Sequence, residues 1–219
     1  MTRLLPLLAL GLLTACGAET PADAPTANTS ASANTAEEIP PEPLPDKVRI
    51  RLETEQGPIL VELDARRAPI TTANFVAYVD EKRFDGTTFY RASRTRGAPR
   101  EGFIQGGIRR NYTRMLPPVA HEPTSKTGIK HGPGTISMAH SENGTGAMGD
   151  FFITVSAMPS LDAKGDKPGY AAFGRVVEGM DTVRRILAAE TVPNAGRGAM
   201  KGQMITKPVK IVSARRVES

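Results

Sequence analysis

Lys47-Val48-Arg49-Ile50-Arg51-Leu52-Glu53-Thr54-Glu55-Gln56-Gly57-Pro58-Ile59-Leu60-Val61-Glu62-Leu63 is the stretch on which the fold turns. Val48, Ile50 and Leu52 alternate with Arg49, Arg51 and Glu53, the period-two pattern of a strand with one buried face. Gln56-Gly57-Pro58 turns the chain, and Ile59, Val61 and Leu63 repeat the alternation, so a hairpin opens a domain here. Pro69 then suits the first turn of a helix whose buried stripe is Ile70, Ala73, Phe75, Val76, Ala77 and Val79. Short β-type runs follow at 88–92, 103–105, 134–139, 151–155 and 171–177, separated by Gly- and Pro-rich loops, whereas 92–101 reads as irregular and basic. A second helix is expected over 180–189, with Met180, Val183, Ile186 and Leu187 inward. Asp181 near its start and Arg184 and Arg185 further along partly suit the helix dipole. Val209, Ile211 and Val217 mark a final strand region. Many short strands with one helix near either end predict a mainly β fold, a closed barrel capped by helices.

The residues before this domain have a different character. Residues 1–46 hold one base, Arg3, against six acids, while residues 47–219 carry 27 bases and 17 acids, a net +10. Arg3 precedes an apolar run from Leu4 to Leu13, broken only by Pro6. That is the length of a secretory signal core and too short to span a bilayer. The run ends in Leu13-Thr14-Ala15-Cys16, which resembles the bacterial lipobox. The resemblance implies that residues 1–15 are a lipoprotein signal peptide and that Cys16 is lipidated and becomes the new first residue. Several acyl chains on one residue anchor a protein firmly, where one chain holds it only weakly. Gly17 rather than Asp follows, which by the same resemblance implies export to the bacterial envelope, in the outer membrane facing the periplasm. From 17 to 45 the chain is mostly Ala, Thr, Pro, Ser, Asn and Glu, too poor in apolar side chains to offset its ordering entropy. Residues 16–46 therefore read as a lipidated Cys and a disordered tether, made stiff by Pro40, Pro41, Pro43 and Pro45, and residues 47–219 as the folded domain.

Composition removes several function classes. The longest apolar run is far below 18 residues, which excludes a helical membrane bundle. Aromatics are 5% of the 219 residues and Trp is absent, so base-stacking platforms for single-stranded nucleic acid are poorly supplied. The lone Cys16 forms no internal disulfide and no multi-Cys zinc site. His121, His131 and His140 match no compact zinc spacing, and no metal site is expected. No G-x-S-x-G elbow is present and Ser137 lies in a strand-like run, which argues against a Ser-His-Asp hydrolase. Gly106-Gly107 does not open a helix, so a phosphate loop is unsupported.

Five pieces remain, in order along the domain. They are Phe84-Asp85-Gly86-Thr87-Thr88-Phe89-Tyr90-Arg91, then Gly102-Phe103-Ile104-Gln105-Gly106-Gly107, then His131-Gly132-Pro133-Gly134-Thr135-Ile136-Ser137-Met138-Ala139. Gly149-Asp150-Phe151-Phe152-Ile153 and Tyr170-Ala171-Ala172-Phe173-Gly174-Arg175-Val176-Val177-Glu178-Gly179-Met180 complete the set. Together, from about Val48 to the C-terminus, they resemble the cyclophilin family of peptidyl-prolyl cis-trans isomerases. The resemblance implies a closed, antiparallel, eight-stranded β-barrel capped by two α-helices. It implies isomerisation of X-Pro bonds, which exchange over tens to hundreds of seconds although cis and trans differ by only about 1 kcal/mol.

The barrier, ~18–20 kcal/mol, is amide resonance, so lowering it needs no cofactor, nucleophile or metal. Twisting returns a lone pair to the prolyl nitrogen, and a fixed cationic donor beside it binds the twisted form better than the planar one. By resemblance Arg91 is that cation, and Gln105 holds the substrate carbonyl. Phe152 and Leu161 line the apolar pocket, joined by Phe103 or Ile104 as its floor. Ala139 and His140 supply a backbone strip for the substrate, with Tyr170 on the rim. The sequence departs from the family at Tyr90, where His is usual, at Asp150 for Gln, at Ser160 for Trp and at Tyr170 for His. Asp150 is placed to pair with Arg91, which would orient the guanidinium or partly neutralise it. The implied partners are unfolded or partly folded proteins with X-Pro bonds, on which a monomer held at a membrane through its N-terminal lipid acts, with no nucleic acid. A non-enzymatic module of the same fold, gripping Pro-containing segments as a chaperone or scaffold, is the alternative.

Overall fold

The computed structural model describes residues 44–109, 111–140 and 148–217. Cys16 and the segments expected to be a signal peptide and, up to residue 43, a tether lie outside these residues. The strands are β1 (Lys47–Thr54), β2 (Ile59–Asp64), β3 (Thr88–Thr95), β4 (Ala98–Gly107), β5 (Thr135–Met138), β6 (Asp150–Thr154), β7 (Ala171–Glu178), β8 (Thr191–Val192) and β9 (Met204–Val217). The helices are α1 (Pro69–Asp80), α2 (Thr124–Thr127) and α3 (Met180–Ala188). Hydrogen bonding runs β1-β2-β7-β5-β6-β4-β3-β9, and β9 pairs back onto β1, so eight antiparallel strands close a barrel. The two-residue β8 is appended to the outer side of β9. Closure removes the free edges that would otherwise template association.

The opening hairpin forms as its alternation predicts, with Val48, Ile50 and Leu52 inside. Its turn is locked by the Thr54 hydroxyl, which donates to the Gly57 carbonyl at 2.6 Å and accepts the Gln56 amide at 3.1 Å. Inside the barrel, apolar side chains from the main strands form one core that Phe75, Val76 and Val79 of α1 join. There Phe75 touches Phe84, Phe151 and Phe173 at ring separations of 4.9, 5.3 and 5.2 Å. α3 packs on β2, β3 and β4 through Val183, Ile186 and Leu187, as its pattern predicts. Arg94 on β3 donates to the carbonyls of Leu187 and Ala189, satisfying acceptors that the end of α3 leaves open. Leu44 is half-buried against the core and the Asp46 carbonyl accepts the Arg66 amide, so packing begins slightly before the strand itself.

Three expectations are corrected. α1 is rotated relative to its apolar stripe: Ile70 and Ala73 are exposed, and Thr71, Thr72, Asn74 and Tyr78 are buried. The reason is a polar anchor, because the buried Glu122 carboxylate accepts both the Thr71 amide and the Thr71 hydroxyl at 2.7 Å. The stretch 92–101 is not irregular: β3 and β4 continue to the pair Thr95↔Ala98 around a turn at Gly97, whose φ is +81°. Both faces of that hairpin end meet solvent, so the period-two signal is lost where the strands persist. A third helix, the single turn α2 closed by Gly128 in the left-handed region, is too short to leave a periodic signature. Among the described residues no helix is long and apolar enough to cross a membrane.

Candidate active site

Residues directly opposite one another on neighbouring strands point to the same face. Arg91 pairs with Gln105, Gln105 with Phe152 and Phe152 with Ser137, one row across β3, β4, β6 and β5. The adjacent row, Ile104, Ile153 and Ile136, points into the barrel and is fully buried. The two floor candidates therefore part. Phe103 shares the outward face with Gln105 and is half-exposed, its ring 5.2 Å from that of Phe152, whereas Ile104 belongs to the core and does not line the site. Gly102 makes this possible: at φ +127°, a Cβ there would lie 1.9 Å from the Ser93 carbonyl oxygen.

A bulge in β3 breaks the register between Phe89 and Arg91, so Tyr90 and Arg91 both meet Gln105. Gln105 accepts from Arg91 Nη1 through Oε1 at 2.8 Å and donates through Nε2 to the Tyr90 hydroxyl oxygen at 2.8 Å. The amide is therefore oriented from both sides. Burial pushes the Tyr90 phenol well above its ordinary range, and it stays neutral. Arg91 Nε donates to Gln203 Oε1 at 2.8 Å, and its guanidinium carbon lies 5.0 Å from the centre of the Phe103 ring. Burial lowers the Arg91 pKa, yet a guanidinium remains charged at any working pH. Asp150 does not pair with Arg91. Its Oδ1 accepts the Arg109 amide at 2.8 Å, and the Arg109 guanidinium lies over the Tyr90 ring.

The apolar floor continues as linked rings. Phe152 meets Tyr170 edge-on at 5.3 Å, and Tyr170 stacks on His140 at 4.5 Å. His140 Nε2 is 3.1 Å from the Gly169 carbonyl, and the Ala139 amide donates to the Asp150 carbonyl at 2.8 Å. Leu161 is half-buried in a 3-10 turn, and its carbonyl accepts the Tyr170 amide at 3.0 Å. Arg91, Phe103, Gln105, Phe152, Tyr170 and His140 are thus brought into one chain of contacts, with Leu161 tied to Tyr170 by a backbone bond and Ala139 next to His140 in sequence. A separate cleft of about 460 Å³, lined by Lys47, Glu62, Asp64, Arg67, Lys130 and Arg175 among others, shares none of these residues. Its walls are mostly charged, which does not suit a proline ring.

Two features escaped the sequence. Gln203 lies 112 positions from Arg91 in a polar loop, with nothing local to mark it. His131 sits between Asp162 Oδ1, 2.8 Å from Nδ1, and Ser137 Oγ, 3.0 Å from Nε2. That is the order of a hydrolytic triad, but Ser137 is 0% exposed and Phe152 stacks on the imidazole, so no substrate reaches the hydroxyl. The relay supports the floor from below.

Burial, only partly offset by Asp162, lowers the His131 pKa from 6.5, so the folded protein keeps this imidazole neutral. As pH falls past about 6.5 the unfolded chain takes up a proton that the folded one resists, and stability drops. Asp64 is held low by Lys47 and Arg67 against the opposing effect of its burial, and Asp85 is held low chiefly by Arg215. Both lose their contribution only as pH falls below their ordinary 3.8. The expected result is a melting temperature that declines between pH 7.5 and 5, with a smaller decline in His131→Asn. Equal slopes in the two proteins would remove His131 as the cause.

Comparison with known proteins agrees with this geometry. A family model described as "Cyclophilin type peptidyl-prolyl cis-trans isomerase/CLD" matches residues 49–216. A "Peptidyl-prolyl cis-trans isomerase" of Acinetobacter baylyi is 32% identical over 166 residues, covering 76% of this chain and 84% of its own. "Peptidyl-prolyl cis-trans isomerase A" of Dickeya dadantii is 34% identical over 172 residues, covering 76% and 83%. Among solved structures, a Cryptosporidium parvum cyclophilin type peptidyl-prolyl cis-trans isomerase shares the fold at TM-score 0.57 and 20% identity. That match covers 79% of this chain and 99% of the other. With 168 consecutive residues inside one family model, the chain belongs to the cyclophilin-type peptidyl-prolyl cis-trans isomerases.

Proposed function

We propose that this isomerase acts on X-Pro bonds of proteins folding in the bacterial envelope, held there by a lipid on Cys16. The observation that carries the chemistry is the row Arg91–Gln105–Phe152. It sets a fixed cation and an oriented amide beside an apolar floor on the open face of the barrel. The proline ring rests on Phe152 and Phe103, Gln105 engages the substrate carbonyl, and Arg91 interacts with the prolyl nitrogen as its lone pair returns. Each tenfold of rate requires about 1.4 kcal/mol of preferential binding to the twisted form, which one charge-assisted hydrogen bond plus positioning supplies several times over. Ala139 and His140 offer the substrate backbone a strip beside the floor, and Tyr170 and Leu161 close the rim. The envelope setting is supported by the lipobox-like Leu13–Cys16, the short apolar run before it and the acidic, Pro-rich segment that follows.

The test has two arms. Exchange measurements on short Ala-Pro peptides should show cis-trans interconversion well above the uncatalysed rate. A rate equal to the uncatalysed one across several X-Pro sequences would leave only a Pro-segment-binding module. Independently, Cys16→Ala should move the protein from the membrane to the soluble fraction or leave it unprocessed. Processing at the same site with unchanged membrane pelleting would end the lipoprotein reading.

A further inference from the structure

We propose that Gln203 is a positioning residue for Arg91, a neutral second anchor that fixes the guanidinium without neutralising it. The inference rests on the isomerase reading of the site. The Arg91 guanidinium is held on two edges, Nε by Gln203 Oε1 and Nη1 by Gln105 Oε1, both at 2.8 Å. Two bonds on separate edges of one planar group fix its rotation as well as its place. Nη2 has no partner among the described residues and remains as the donor for substrate.

Gln203 is itself tightly held. Its carbonyl accepts the Ala92 amide at 2.9 Å and its amide donates to the Met200 carbonyl at 3.1 Å, so its backbone is tied both to β3 beside Arg91 and to its own loop. The loop closes on itself through Gly202, whose amide donates to the Ala195 carbonyl at 2.8 Å. Gly196 is required there: at φ +88° an added Cβ would lie 2.4 Å from the Met200 carbonyl oxygen.

The chemical sense of the arrangement lies in what the anchors are not. Arg67, Arg83, Arg184, Arg215 and Arg216 are each paired with a carboxylate. Arg91, half-buried and facing the pocket, is held only by amide oxygens among the described residues. A carboxylate in the same place would bind the guanidinium more strongly and still weaken catalysis, because its charge would offset the positive potential that the returning lone pair must meet. An amide accepts the same hydrogen bond and leaves that potential intact.

The substitution that separates this role from a structural one is Gln203→Glu, which keeps the acceptor and its reach. With the full-length protein and an Ala-Pro peptide followed by exchange NMR, kcat at pH 7.5 should fall about tenfold with KM within about twofold. The melting temperature should stay equal to wild type or rise. The ratio of variant to wild-type kcat should stay flat between pH 7.5 and 5, because the guanidinium keeps the new carboxylate ionised throughout that range. Gln203→Ala should lower kcat, and its Arg91 Nε–H should exchange with solvent faster than that of the wild type. Activity in both variants within twofold of wild type, or losses that follow the unfolded fraction, would overturn the role. A wild type that fails to accelerate isomerisation would sink the isomerase reading, and the Nε–H exchange in Gln203→Ala would still decide whether Gln203 anchors Arg91.

Discussion

Arg91→Ala is expected to lower kcat/KM for X-Pro peptides by one to three decades, equivalent to about 1.4–4 kcal/mol of transition-state stabilisation. Among the described residues Arg91 carries the one guanidinium within hydrogen-bonding distance of Gln105, and it faces Phe103 and Phe152. Its removal also strips Gln105 and Gln203 of a donor. Gln105 is buried and Gln203 half-buried, and water entering the space the guanidinium vacates replaces the lost donor only in part, so the cost to stability should be about 1–2 kcal/mol. Arg91→Lys should recover only part of the rate, since an ammonium supplies charge but cannot meet two amide oxygens and a substrate along three directions of one plane. Catalysis is read by peptide exchange and stability by thermal melting. A well-folded Arg91→Ala protein with wild-type turnover would refute the assignment of the cation and, with it, that of Gln105 as its partner.

Phe75→Ala should be the most destabilising single change to the barrel, by about 3–5 kcal/mol, a large share of the ~5–15 kcal/mol that holds a typical domain together. Phe75 is 0% exposed and is the point where α1 enters the interior, meeting three rings contributed by the segment after α1, by β6 and by β7. Those rings cannot collapse to fill the void, because Phe84 and Phe151 also pack on one another at 5.3 Å and are held by their own backbone. Ile70→Ala on the same helix should change stability by no more than about 0.5 kcal/mol, since Ile70 points outward at 37% exposure. Denaturant unfolding of the two variants checks the pair. Similar losses would mean that the rotation of α1 is wrongly described.

The contrast between Phe75 and Ile70 also shows where reading by pattern stops. Both residues belong to the expected stripe, yet Phe75 packs among core rings while Ile70 faces outward beside Thr71, which Glu122 anchors from 51 positions away. On β4 the limit is similar. The motif around Gln105 points to a pocket, but whether Phe103 or Ile104 reaches it depends on which face of β4 closes onto β6. The pairs Gln105↔Phe152 and Ile104↔Ile153 decide that.

What the amino-acid order determined by itself is local and periodic. Alternation in Val48–Leu52 and Ile59–Leu63 dictates half-buried strands, and Val183, Ile186 and Leu187 dictate the buried face of α3. A strand's side chains alternate by geometry alone and a barrel buries whichever face is apolar, whereas Arg91, Gln105 and Phe152 are legible only through the resemblance of the ordered motifs to a family. What the tertiary structure alone decided is every relation that closure of the barrel creates between distant segments. The bulge at Tyr90 lets two side chains meet one Gln105, Asp162 and Ser137 reach His131 from opposite sides beneath Phe152, and Gln203 arrives beside Arg91 from 112 residues away. These contacts leave no periodic trace, since polar side chains in irregular loops are constrained by the partner they meet in space and not by their neighbours in the chain.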